Sequence, residues 1–541
     1  MASFDAEEAR TQLDRILTSD DFQASSRNRR FLAYVFEETL AGRAEAIKAY
    51  TIATCVFGRP PDFDPQIDSI VRIEAGRLRR CLERYYLTSG QADPIVISIP
   101  KGTYVPQFGA NPNHQNGAMP TTDAVAHGSA GLLTSILVDR LEEEGDQSAF
   151  PNLTRGFTRR IVGGLSRFTD LAVFGPDGAA VPTTQPPAER VADFLLTGGT
   201  TVSSTQFSAD LLLIETASGR CVWGERFECL VSADHLAASI DEIARTVVQA
   251  LAQPYGAIFV ATSRDVDDPA HTPMSSSASV LLYRRYARIY DLDLLESVRL
   301  NLEAAITRDP NYADAFSCLS LVYTDIVRYS LKPAVRDGRD PRERMFVLAH
   351  RAIDLAPNAS HAHHALARAY WFSGDTEGSF EELKIAHELN PYDTAVLADL
   401  GHQHAMMANW DVGIPLLVKA YAENPGLPSW YRIAFAIHHF VGNRFESALA
   451  EVRKVNANRI IYPHLVTAAC AYRLDRREEA AAALDRALAI NPDFGRHGAE
   501  DLAKRNVHPA IAAALLEALA DAGLSTGPKA TGTPRLRSLT G

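Results

Sequence analysis

Prolines recur at a fixed interval in the C-terminal half of this chain. Pro357, Pro391 and Pro425 are 34 residues apart. Pro310 lies 47 residues before Pro357, and Pro492 lies 67 after Pro425, one short of two periods. A period of this length means stacked supersecondary units, each too small to bury its apolar face alone. The residues between the prolines agree. One unit carries Leu366, Ala367, Tyr370, Leu383 and Ala386 before Pro391. The next carries Leu400, Gly401, Leu417 and Ala420 before Pro425, and the last carries Ala480, Leu484 and Ala487 before Pro492. Each unit reads as two helices, so residues 280–522 are expected to form an all-α solenoid.

The 34-residue period with its Asn-Pro junctions resembles the tetratricopeptide repeat. About six units are expected, starting near Ser279, Ala313, Ser360, Thr394, Pro428 and Ile461. A polar insertion, SLKPAVRDGRDPRER, accounts for the longer second unit. The resemblance implies a concave groove lined by first helices that receives a protein or peptide. His361, His364, Arg368, Trp371, His402, Arg432 and His439 fall at offsets that face such a groove. Together they suit an acidic or C-terminal carboxylate ligand, or they are simply a polar wall. His404 and His438 fall where the repeat packs a tyrosine, and are expected in the core. Neighbouring imidazoles are also metal ligands in other settings, but no metal or other cofactor is expected here.

Residues 1–108 read as four helices and a hairpin. EARTQLDRILTS, FQASSRNRRFLAYVFEETLAG and EAIKAYTIATCVFG are the first three, with Gly42 and Gly58 as stops. Asp64 is placed to cap the fourth helix, with Pro65 at its first position. In that helix Ile67, Val71, Ala75, Leu78, Leu82 and Tyr85 form one apolar stripe. Arg72, Arg77, Arg79, Arg80 and Arg84 fan over the other side. Strands Ile95–Ile99 and Thr103–Phe108 follow, with Lys101 in the turn. GRLRRCLERYY and KGTYVPQF resemble the C-terminal winged helix-turn-helix of response regulators. That resemblance implies duplex DNA as a partner, with the five arginines and Lys101 on phosphates and base edges. Residues 1–108 are not basic, with 14 Lys+Arg against 15 Asp+Glu. Residues 69–108, however, carry six basic and three acidic residues.

Between linkers at 109–130 and 263–279 lies a block, 131–262, in which strands and helices alternate before a hairpin. This pattern predicts an α/β or α+β layer fold. FLLTGGTTV, SADLLLIETASGRCVWGERF and IDEIARTVVQAL resemble the TolB-amino-terminal-like domain, which implies an accessory module without catalytic residues. HLAASIDEIARTVVQALAQPYGAIF reads as one long closing helix, on which the face shared by Trp223 and Phe227 is expected to rest. Residues 523–541 are rich in Gly, Thr and Pro and read as a disordered tail.

The whole chain is therefore expected to be multidomain: winged helix, α/β layer domain, helical-repeat solenoid. It resembles bacterial regulators of this composition that are often labelled cyclase-like. With 54 Lys+Arg against 66 Asp+Glu, the net charge is -12, which excludes a protein coating nucleic acid or membrane with its whole surface. Six scattered cysteines without a Cys-x-x-Cys pair suggest a reducing compartment. No basic segment followed by an apolar run opens the chain, and a cytoplasmic location is expected. No P-loop, Gly-x-Ser-x-Gly or His-Glu-x-x-His occurs, and the three blocks leave no room for a cyclase domain, so an enzyme is not expected. The function expected is DNA-binding transcriptional regulation, with a protein-interaction scaffold as the alternative.

Overall fold

The computed structural model describes Ala6 to Ser525, apart from residues 20, 23, 25, 60, 62–69, 101, 112–132, 146–149, 177–191, 204, 231–235, 264–274, 332–339 and 457–459. The chain divides into two compact units, 1–126 and 127–541.

In the first unit, helices α1 (Ala6–Thr18), α2 (Ser26–Leu40), α3 (Ala49–Cys55) and α4 (Ile70–Leu87) precede strands β1 (Ile95–Ser98) and β2 (Gln107–Ala110). Ile16, Phe31, Val35, Phe36, Ile52, Val71, Leu78, Leu82 and Ile97 are buried, so the apolar stripe read in α4 is an inner face. The third helix is shorter than its pattern, because residues 44–46 form a separate helical turn and Ala49 restarts the helix. Asp64 and Pro65 lie outside the described residues. The second strand starts at Gln107 rather than Thr103, and pairs with β1 in antiparallel register from Ser98↔Gln107 to Ile95↔Ala110. Pro106 has no N–H to give a ladder, and the carbonyls of Ile99 and Thr103 are taken by an arginine side chain described below. The hairpin therefore runs two residues into the stretch read as a linker.

The second unit opens with β3 (Thr134–Val138), β4 (Glu142–Gly145), α5 (Leu153–Leu165), β5 (Leu171–Phe174), β6 (Phe194–Val202), β7 (Gln206–Glu215), β8 (Arg220–Leu230), α6 (Leu236–Ala252) and α7 (Ala257–Thr262). The sheet order is β5-β3-β6-β7-β8, with β4 also on β6. β3 and β4 run parallel to β6 end to end along one edge, while β7 and β8 are antiparallel. The register steps from Val138↔Leu196 to Glu142↔Gly199, so one extra residue bulges between β3 and β4. α5 and α6 cover the sheet through Phe157, Ile161, Ile240, Val247, Val248 and Leu251. Trp223 and Phe227 stand 6.3 Å apart between ring centres and pack against this core. The long closing helix is broken. Pro254 cannot continue it, and Tyr255 turns the chain with a φ of 79°.

Among the described residues fourteen α-helices follow: α8 (Ser276–Ile289), α9 (Leu295–Arg308), α10 (Ala313–Arg328), α11 (Pro341–Leu355), α12 (Ser360–Phe372), α13 (Thr376–Leu389), α14 (Thr394–Met406), α15 (Trp410–Glu423), α16 (Arg432–Val441), α17 (Phe445–Val452), α18 (Ile461–Arg473), α19 (Arg477–Ile490), α20 (Phe494–Ala503) and α21 (Pro509–Asp521). They pack as successive pairs in a repeat-like array. Pairs begin at Ala313, Ser360, Thr394 and Ile461, the starts that the proline spacing predicts. α14 and α15 approach so closely that a methyl group on Gly413 would lie 2.6 Å from the Ala405 nitrogen and 2.7 Å from the Gly401 carbonyl. Only glycine permits that contact. Among the described residues no helix is long and apolar enough to cross a membrane.

The α/β part does not stand apart from the helices, although 263–279 reads as a linker between them. The turn after α6 inserts into the helical array. Gln253 Oε1 accepts from Thr394 Oγ1 at 2.5 Å and from the Thr394 backbone N–H at 3.1 Å. Asn424 Nδ2 donates to the Pro254 carbonyl at 3.2 Å, and Gln249 Nε2 donates to Glu423 at 2.9 Å. Tyr392 packs into the core of the α/β part.

Candidate functional site

On α4 the apolar residues face inward, which leaves Arg72 exposed. Arg79 has a different role from the DNA contact expected of it. Its Nε and Nη2 donate to the carbonyls of Ile99 and Thr103, both at 2.8 Å. It braces the loop of the hairpin against the helix. The side chains of Arg77, Arg80 and Arg84, and the whole of Lys101, lie outside the described residues. Two of the three acidic residues of this segment, Glu74 and Asp93, are turned inward. Glu74 is fully buried and accepts from Asn28 Nδ2 at 2.7 Å. Asp93 accepts from Tyr85 at 2.6 Å and from Gln12 at 2.5 Å. Two of the three carboxylates that balance the arginines in the sequence are thus withdrawn from the surface.

The inner wall of the helical array gathers four of the seven residues expected there. His361, His364 and Arg368 lie along α12, one and two turns apart, and His402 stands on α14. Each is engaged by a neighbour. His361 pairs with Asp314 of α10, and His364 Nε2 is 2.6 Å from Asp399 of α14. Arg368 lies 3.6 Å from both Asp325 and Asp399. The carboxylates take further donors: Tyr286 at 3.0 Å and Tyr290 at 2.5 Å on Asp325, and Tyr431 at 2.9 Å on Asp399. Beside them Arg328, which sequence reasoning missed, is ringed by Tyr290, Tyr329, Phe372 and Trp430 at 5.0–5.6 Å. No local pattern distinguished it from an ordinary last-turn arginine of α10.

Burial works against the charge on Arg368, but Asp399 and Asp325 outweigh it and hold the guanidinium well above its ordinary value. Burial likewise pushes the Asp399 carboxyl up, and Arg368 and His364 overcome it, leaving Asp399 well below the carboxylate range. His361 follows the same logic: burial opposes its charge and Asp314 wins, so its pKa is raised. His402 is the exception. Burial takes it down to about 3 against the pull of Asp399. Its ring stacks edge-on to Trp430 at 5.1 Å, and its Nδ1 has no hydrogen-bond partner.

This contrast gives a pH prediction. Below pH 6.5 the unfolded chain protonates His402 while the folded chain refuses the proton, so stability falls from about pH 6.5 toward 3. Each unit is worth about 1.4 kcal/mol. The His361 contribution, whose folded pKa is raised, is already complete below 6.5 and does not offset the loss. Between pH 6.5 and 4.5 the wild-type melting temperature should therefore fall more steeply than that of His402→Phe. Parallel curves would mean that His402 is protonated in the folded protein.

Of the other expected groove residues, Arg432 and His439 sit elsewhere, and Trp371, although beside Arg368 and His402, is buried rather than open to a ligand. Trp371 is buried in the core, 6.4 Å from Phe380 between ring centres. Arg432 pairs with Glu451 of α17 at 2.9 Å and lies over Tyr421 of α15 at 4.5 Å, so it is turned toward second helices. His439 accepts from Arg444 Nε at 3.1 Å in the turn after α16. His404 and His438 pack against Phe380 and Trp410, on the partly buried positions expected of core histidines.

Parts of the protein's own chain enter the groove. The Gln253–Tyr255 turn enters on one side. From the C-terminal side, Arg505 Nη2 donates to the Arg328 carbonyl at 3.0 Å, and Asn506 Nδ2 donates to the Trp371 carbonyl at 2.6 Å. A cavity of about 140 Å³ remains between α8, α10, α12 and the α/β part. Among the described residues no group of three or more His, Cys, Asp or Glu is placed to hold a metal ion. No known protein family and no curated protein matches the sequence.

Proposed function

We propose that this chain is a DNA-binding transcriptional regulator, with α1–α4 and the β1–β2 hairpin as a winged helix. The observation that carries this reading is the inward placement of Glu74 and Asp93 beneath an arginine-rich helix whose Arg72 is exposed. It leaves one face of an otherwise acidic chain for phosphate contact. Residues 134–262 are read as a TolB-amino-terminal-like accessory domain, and the helical array as tetratricopeptide repeats that the accessory domain holds. In this reading the second unit is the controlling part and is not open to a long peptide.

Each phosphate contact adds about 0.9 to the slope of log affinity against log salt. The full chain should bind duplex DNA with a negative slope, and Arg72→Ala should reduce that slope by about 0.9 without altering the melting transition. Absent or salt-independent duplex binding would overturn the reading. It would favour the interaction scaffold, for which Leu300, Val347, Val412 and Val418, half exposed on second helices, supply apolar contact points.

A further inference from the structure

We propose that the cavity between the α/β part and helices α8, α10 and α12 binds a small organic amine, its ammonium group held by Asp314 and Ser360. This goes beyond the DNA-binding reading and does not depend on it. Two buried polar atoms at the cavity wall have no partner. Asp314 gives one carboxylate oxygen to His361, and its Oδ2 is unbonded. The Ser360 hydroxyl, next in the chain to His361, is unbonded as well. Both residues are more than nine-tenths buried. A buried carboxylate oxygen without a donor costs about 1–3 kcal/mol, and an occupant that donates to Asp314 Oδ2 removes that cost.

Charge and shape choose the donor. The wall carries four carboxylates, Asp170, Asp314, Asp325 and Asp393, against three guanidiniums, Arg167, Arg284 and Arg368. One negative charge is in excess among these groups, and His361, whose pKa Asp314 raises, offsets it when protonated. An ammonium has three donors: two suit Asp314 Oδ2 and the Ser360 hydroxyl, and the cation suits the faces of the surrounding tyrosines, Tyr283 among them. About 140 Å³ suits a molecule of a few to about ten heavy atoms. Because Arg284 of α8 pairs with Asp170 of the α/β part beside this space, an occupant touches both parts and strengthens their union.

The test uses the full chain with ethanolamine, putrescine and tyramine, each compared with the alcohol of the same shape, by titration calorimetry and melting temperature. At least one amine should bind one to one, raise the melting temperature, and bind at least tenfold more tightly than its alcohol. Asp314→Asn should weaken it at least tenfold. Should that variant fail to fold, Ser360→Ala removes only a hydroxyl and should weaken the amine severalfold with the fold retained. No saturable binding by any of the three amines, equal binding of amine and alcohol, or an affinity untouched in Ser360→Ala would each overturn the proposal.

Discussion

Arg368→Ala should destabilise the second unit by about 3–5 kcal/mol, the range seen when one partner of a buried ionic cluster is removed. The guanidinium lies 3.6 Å from both Asp325 and Asp399, and its side chain is only 12% exposed. Without it Asp325 keeps Arg328 at 3.9 Å and two tyrosines, and Asp399 keeps His364 and one tyrosine. Two carboxylates would then share less compensation in a medium that solvates them poorly. The measurement is simple in the full chain, because all four tryptophans, Trp223, Trp371, Trp410 and Trp430, lie in the second unit. Denaturant unfolding followed by tryptophan emission therefore reports that unit alone. A loss under about 1 kcal/mol, the worth of an exposed pair, would mean that water reaches the cluster.

Trp371→Ala should cost a similar amount, about 3–5 kcal/mol, for a different reason. It leaves a cavity. The ring is 3% exposed and lies in the same core as Leu397, Met406 and Phe440. A tryptophan that served only to hold a ligand would be replaced at little cost to stability, so the two roles separate cleanly in an unfolding curve read by circular dichroism. Trp371→Phe, which keeps most of the volume, should recover more than half of the loss. If the alanine variant melts with the wild type, the ring is a surface contact after all.

Trp371 also shows where the sequence was readable and where it was not. The proline period placed the starts of α10, α12, α14 and α18, and it put His361, His364 and Arg368 on the inner wall, because helical spacing fixes which face a residue shares. It failed for Arg432, since a helical turn at Ser429–Tyr431 precedes α16 and shifts its start from the expected Pro428. β4 was missed because EEEG has no strand character of its own; the edge of β6 supplies it. Arg79 was read as a DNA contact because nothing local announces that the carbonyls of Ile99 and Thr103 lie within reach. The contents of the groove were invisible for the same reason. A period tells which residues face the inside of the array and says nothing of what distant segment comes to occupy it.

The Gln253–Tyr255 turn bears on how the protein is made. Its hydrogen bonds reach forward by 141 residues to Thr394 and by 170 to Asn424. The helical pairs close by local contacts and form quickly, while pairings of that span must first close a long loop. At roughly 5–20 residues per second, the ribosome delivers the turn about 7–30 seconds before Thr394, 141 residues on. During that interval the turn and the sheet core that later takes up Tyr392 stand uncovered. Synthesis thus passes through a stage in which the first half of the unit waits, partly unsatisfied, for its second, and slow translation or a break after α7 would prolong the stage most exposed to chaperones and proteases.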